Sequence, residues 1–149
     1  MACYLAQNGE LELRSVIRKL WHQRKSVWLP AIDENKERLL QFCEYTPSTK
    51  LVNNRFGIPQ PDTNQNISIE PKHLDVVLVP LVAFDKDLNR LGMGGGYYDT
   101  TFRFIKQDKF AETKLLGMAY DFQEVEQVPV EKWDMPLDDI IVVPTDSSR

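Results

Sequence analysis

The run "LDVVLVPLVAFD", Leu74 to Asp85, constrains the fold more than any other part of the sequence. It is continuously apolar and rich in valine, the pattern of a strand covered on both faces rather than one with a solvated side. It leads into "NRLGMGGGYYDTTF", Asn89 to Phe102, where four glycines fall within five residues. Beyond them, Tyr97, Thr101, Phe104 and Ile105 recur at helical spacing. Strand, glycine loop, helix is a recurrent anion-binding order, because glycines admit close approach of backbone N–H groups and a helix N-terminus adds partial positive charge.

The remaining segments supply partners for a central strand. "ACYLA" reads as a short buried strand, and "LELRSVIRKLWHQRK" as a helix with Leu13, Val16, Ile17, Leu20 and Trp21 on one face. "SVWLPAI" is a second strand, so strand, helix and strand imply a parallel crossover. "RLLQFCEYT", "KLLGMAY" and "DDIIVVPT" are further strands. Between Pro47 and Pro71, prolines and polar residues without periodicity predict a long loop. Helices alternating with apolar strands predict an α/β layered domain, and 149 residues suffice for one domain spanning 1–149.

Charge narrows the partners. Eighteen basic against 22 acidic residues give a net charge of −4, no general attraction for nucleic acid or an anionic membrane. Nothing approaches the ~20 apolar residues of a membrane span, and the first residues lack signal-peptide organisation, so a cytoplasmic protein is expected. Cys3 and Cys43 lie in apolar runs without metal-ligand spacing and are expected to be buried free thiols. His22 and His73 are expected to face solvent and to take no part in catalysis.

"GMGGG" is neither the GxGxxG dinucleotide fingerprint nor the GxxxxGK[ST] phosphate loop. A turn needing positive φ accounts for its glycines as well as a phosphate cradle does. Its flanks favour the cradle: Arg90 suits a phosphate, Asp99 offers Mg²⁺ a hard oxygen, and Tyr97 and Tyr98 offer ring faces and hydroxyls.

"VPLVAFDKDLNRLGMGGGYYD" resembles the signature of the 5-formyltetrahydrofolate cyclo-ligase family, and the likeness runs through "NRFGIPQP" to "VPVEKWDMPLDDIIVVPT". The resemblance implies a three-layer α/β/α sandwich with a mixed, mostly parallel sheet. It implies Mg²⁺- and ATP-dependent conversion of 5-formyltetrahydrofolate to 5,10-methenyltetrahydrofolate through a phosphorylated formyl group, with ADP and phosphate released. By position, Arg90, Leu91, Gly92, Met93, Gly94, Gly95, Gly96, Tyr97 and Tyr98 would line the ATP phosphates. Leu5, Glu10, Phe56 and the stretch Met93 to Tyr97 would border the folate, with Arg55 near its glutamate tail. Asp99 and Asp138 would hold Mg²⁺, with Asp134 a neighbour of Asp138. Asp99→Asn is expected to weaken turnover and leave thermal stability nearly unchanged.

The resemblance also marks departures. Relatives begin with a basic helical segment ahead of the strand matching "ACYLA", so the chain is expected to be N-terminally truncated relative to the family. Leu81 stands where many relatives have glycine, Thr100 where many have arginine, and Trp133 where a histidine is frequent; Trp133 is assigned no catalytic role. A monomer is expected. The alternative function is a folate- or nucleotide-binding domain with impaired turnover.

Overall fold

In the computed structural model, residues 1–92 and 94–145 are described. The central strand of the sequence forms β6 (Val76–Val79), and burial on both faces follows from its alternation. Val77 and Val79 enter one apolar cluster, with Phe42, Phe102, Leu115 and Ala119, while Leu78 enters a second, with Cys3, Leu13, Ile17 and Leu29. Successive strand residues point to opposite faces, so these clusters lie on the two sides of the sheet. β9 (Lys114–Tyr120) pairs in parallel with β6, and β10 (Asp139–Val143) in parallel with β9.

On the other side of β6 the chain start completes the sheet. The Ala2 N–H donates to Val76 O at 2.9 Å and the Leu78 N–H to Ala2 O at 2.9 Å, while the Cys3 N–H donates to Trp28 O at 2.8 Å. Parallel bridges therefore link β6, Ala2 and β1 (Trp28–Ile32). β1 then pairs antiparallel with β2 (Leu40–Glu44), and β2 antiparallel with β5 (Ser68–Ile69). The sheet is mixed, in the order β10-β9-β6-Ala2-β1-β2-β5, with strand direction reversing between β1 and β2 and again between β2 and β5.

Helix α1 (Arg14–His22) makes the parallel crossover between Ala2 and β1, as its apolar spacing predicts. Leu13 and Ile17 are buried in the second cluster, and Arg14, Arg18 and Lys19 face water. Trp21 closes this layer: its ring lies 5.0 Å from that of Tyr45 and its Nε1–H donates to Tyr45 O at 2.8 Å. The opposite cluster receives Phe102, Tyr98, Phe104 and Ile105 from α2 (Tyr97–Thr101), α3 (Phe104–Gln107) and their junction. The single helix expected after the glycines is thus two short pieces. Cys3 and Cys43 are buried and free, and burial pushes the Cys3 thiol up to about 11.

Two other expectations are corrected. The segment predicted as one long loop holds a hairpin, β3 (Leu51–Asn53) with β4 (Pro59–Pro61), as well as β5. Asn54 organises its tip, Oδ1 accepting the N–H groups of Phe56 at 2.8 Å and Ile58 at 3.1 Å. The buried Gln60 ties the hairpin to the sheet by accepting the Ile32 N–H at 2.9 Å. Prolines obscure such a ladder in sequence because they lack the donor that defines it.

Nor does the central strand run straight into the glycines. β7 (Ala83–Phe84) and β8 (Arg90–Leu91) form a hairpin between them, wrapped around Asp85. Asp85 is 1% exposed and accepts N–H groups from Asp87, Asn89 and, at 2.9 Å, from Val128. Burial opposes its ionisation, but the donors of Val128, Asn89 and Asp87 outweigh it and hold the carboxyl below its usual range.

A Cβ on Gly117, in β9, would meet Leu137 Cδ1 at 2.6 Å and Leu81 Cδ2 at 3.1 Å. Gly117→Ala is therefore expected to lower stability by about 1–3 kcal/mol in urea denaturation. For Asp85, the folded pKa lies below an unfolded value of about 3.9, so its contribution is complete above that pH and lost as pH falls through the folded value. Asp85→Asn should be less stable at neutral pH and lose less stability on acidification, measured as Tm across an acid series.

Candidate functional site

A cleft of about 1060 Å³ opens where the parallel strands end. Tyr4 and Leu5 follow the Ala2 bridge, Pro30 and Ile32 lie in β1, and Pro80 immediately follows β6. Ligand crevices in open α/β sheets form outside the carboxyl ends of strands, near a change in sheet order. This cleft has that position.

The glycine loop is one wall. Gly94, Gly95 and Gly96 take φ of 95°, 107° and 69°, which a side chain would resist at three consecutive positions. Gly92 serves a different purpose: a Cβ there would stand 2.8 Å from Arg90 Nη1, so its absence makes room for the guanidinium. Arg90 pairs with Asp99 at 3.6 Å, with side chains only 10% and 18% exposed, and lies 5.6 Å from the Tyr98 ring centroid. Asp99 Oδ1 also accepts the Met135 N–H at 2.8 Å. Burial pushes the Tyr98 hydroxyl well above the ordinary phenol range, against the opposing charge of Arg90. The helix after the glycines spans only Tyr97–Thr101, so its macrodipole is small and the loop amides and side-chain charges dominate.

The facing wall comes from the chain start and the β3–β4 hairpin. Leu5 and Glu10 reach the cleft from the first segment, and Asn54 and Phe56 to Gln60 from the hairpin. Glu10 Oε1 accepts the Gln7 N–H at 2.8 Å, yet burial prevails and raises its pKa. Phe56 is 58% exposed, presenting its ring at the rim. Arg55 lies 5.0 Å from that ring centroid, and its Nη2 donates to Tyr97 Oη at 2.9 Å, joining the two walls.

Most residues singled out in the sequence therefore meet here: Leu5, Glu10, Phe56, Arg90 to Gly92, and Gly94 to Asp99. Met93 lies outside the described residues. Asp138 does not join them. It sits just before β10, where its Oδ2 accepts the Leu115 N–H at 2.7 Å near the start of β9. That is the amino end of the parallel strands, opposite the cleft, and the carboxylate is used in sheet pairing. Asp134, four residues earlier at the close of the turn over Lys132 and Trp133, lines the cleft instead. It accepts the Glu131 N–H through Oδ2 at 2.9 Å and precedes the Met135 amide bound by Asp99.

Arg38, Tyr4 and Trp133 also line the cleft without having been assigned to it. Trp133 is 61% exposed and Arg38 ends the turn before β2. Asp134 carried a sequence signal in its nearness to an assigned acid, and Trp133 in standing where a histidine is frequent. His22 and His73 are exposed, as expected. No group of three or more His, Cys, Asp or Glu side chains arranged to hold a metal occurs among the described residues, nor does a helix long and apolar enough to cross a membrane.

An α/β domain with a glycine-walled cleft at its strand ends defines a class, and sequence comparison defines the family within it. Residues 1–143 match the profile of the 5-formyltetrahydrofolate cyclo-ligase family. The chain belongs to that family. It is 42% identical over 142 residues to a 5-formyltetrahydrofolate cyclo-ligase of Haemophilus influenzae, covering 95% of this chain and 74% of the relative. With the Escherichia coli K12 protein of the same name the identity is 40% over 141 residues, covering 95% and 76%. Among solved structures, the 5,10-methenyltetrahydrofolate synthetase of Aquifex aeolicus superposes with a TM-score of 0.74 at 30% identity, covering 95% of this chain and 66% of that one. That of Mycoplasma pneumoniae gives 0.67 at 26%, covering 94% and 70%.

The geometry revises the expectation for Asp99→Asn. The amide oxygen still accepts the Met135 N–H, but Arg90, its side chain only 10% exposed, is left without its countercharge. A loss of about 1–3 kcal/mol is expected in thermal or urea denaturation, in addition to any loss of activity.

Proposed function

We propose that the chain is an ATP-dependent 5-formyltetrahydrofolate cyclo-ligase, built as a three-layer α/β/α sandwich and acting as a monomer in the cytoplasm. The observation carrying this reading is the convergence of Leu5, Glu10, Phe56 and the Arg90–Asp99 loop on one cleft in a chain of this family. The cleft has room for a nucleotide tail and a folate ring system together.

In this reading the glycine-loop amides and Arg90 receive the ATP phosphates, while Leu5, Phe56 and Tyr97 pack along the folate. Met93 belongs to the same loop by sequence. The γ-phosphoryl group passes to the formyl oxygen of 5-formyltetrahydrofolate and ADP leaves. N10 then attacks the activated formyl carbon and gives up its proton, and the C–O bond to phosphate breaks as the C–N bond closes the ring. Phosphoryl transfer of this kind depends on positioning and charge neutralisation, which loop amides and a guanidinium supply without a side-chain nucleophile. Glu10, held by the Gln7 N–H, presents its carboxyl group to the polar edge of the pterin.

Mg²⁺ usually takes one or two carboxylates together with substrate phosphates and water, so a large protein cage is unnecessary. Asp99 and Asp134 both face the cleft, and each binds an N–H through one oxygen, leaving the other for such a role. They fit the ion better than Asp138, whose carboxylate serves the sheet. When bound there, Mg²⁺ would neutralise phosphate charge.

Purified protein with Mg-ATP and 5-formyltetrahydrofolate is expected to develop the near-ultraviolet absorbance of 5,10-methenyltetrahydrofolate with equimolar ADP, and chelation should stop it. Folate binding without ADP release, beside an active relative as control, would replace this proposal with a binding function.

A further inference from the structure

We infer that Arg38 supplies a second cationic contact for the nucleotide phosphates, a role resting on the glycine loop being the phosphate cradle. Arg38 lines the same cleft, and its Nη1 lies 4.0 Å from the point a Cβ on Gly96 would occupy. The Leu40 N–H donates to Thr101 Oγ1 at 2.9 Å, holding the start of β2 against α2 and the guanidinium beside the loop.

Charge accounting makes this position consequential. Arg90, the cation within the loop, is paired at 3.6 Å with Asp99, so the two nearly cancel. Arg55 is engaged with Tyr97 at 2.9 Å and with Glu34 at 3.4 Å. Arg38 approaches Glu37 only at 4.0 Å, with side chains 62% and 89% exposed, a pair worth little in water. Its guanidinium is therefore the cleft cation most available to an arriving polyphosphate, which it can meet with paired N–H donors.

Arg38 has φ of 59°, a left-handed conformation that glycine or asparagine would adopt at lower cost. Arg24, in the turn after α1 and outside the cleft, has φ of 60°, so this conformation by itself assigns no role; at Arg38 it accompanies a side chain that lines the cleft.

The test compares Arg38→Gln, Arg38→Lys and Arg38→Gly with the unaltered protein, using steady-state kinetics, calorimetry with a non-hydrolysable ATP analogue, and thermal melting. Arg38→Gln is expected to raise the KM for ATP and the analogue Kd about tenfold, leaving the KM for 5-formyltetrahydrofolate within about twofold. Arg38→Lys should recover part of the loss. Arg38→Gly should bind the analogue as poorly as Arg38→Gln yet melt about 2 °C higher, having shed the backbone strain. Nucleotide parameters unchanged in Arg38→Gln, or an effect on the folate KM alone, would overturn the inference while leaving the cyclo-ligase reading intact. If the unaltered protein binds the analogue but makes no product, the binding comparison still decides the role of Arg38. If it binds no nucleotide, both readings fail.

Discussion

The burial of β6 on both faces is the constraint from which the rest of the molecule follows. Val77 and Val79 need apolar partners on one side and Leu78 on the other, so neither face of the sheet can be left to solvent at β6. α1 satisfies one side and the Phe102 region the other. Because β6 runs parallel to the Ala2 segment and to β9, their carboxyl ends lie on one edge, and the chain must leave that edge through loops. Those loops build the cleft.

Buried polar side chains then give the loops definite shape. Asp85 gathers N–H groups from its own turn and from Val128, so the hairpin presenting Arg90 is held against the segment leading to Pro129 in the cleft wall. Gln123 acts similarly, its Nε2 donating to Leu81 O at 2.9 Å while its Oε1 accepts the Tyr120 N–H. Gln60 does the same for the facing hairpin. Each is a buried group with at least one hydrogen-bond partner in a different segment, which fixes loop geometry that apolar contact alone would leave loose.

How far the cleft was legible from sequence depended on whether a residue's neighbours in space were also its neighbours in the chain. The glycine loop was legible because Arg90, the glycines, Tyr97 and Asp99 are contiguous. Leu5, Glu10 and Phe56 came through family resemblance, since nothing in their local patterns distinguishes a cleft wall from a core leucine or a loop aromatic. Asp138 was misplaced for a geometric reason: four residues of extended chain span up to about 14 Å, enough to separate the cleft from the opposite edge of the sheet. Arg38 was passed over because a charged residue after a polar turn has the pattern of an ordinary solvated position.

By itself the sequence determined the α/β class, the central strand, the amphipathic α1 and the glycine loop, because hydrophobic period and glycine clustering are local properties of the chain. Tertiary structure alone decided that β1 and β2 run antiparallel, that the proline-rich segment forms a hairpin facing the loop, and that Asp134 and Arg38 reach the cleft while Asp138 does not. Those outcomes depend on which strand ends share an edge and where a buried carboxylate or amide finds its donors. Such pairings join residues distant in the chain, and no local pattern encodes them.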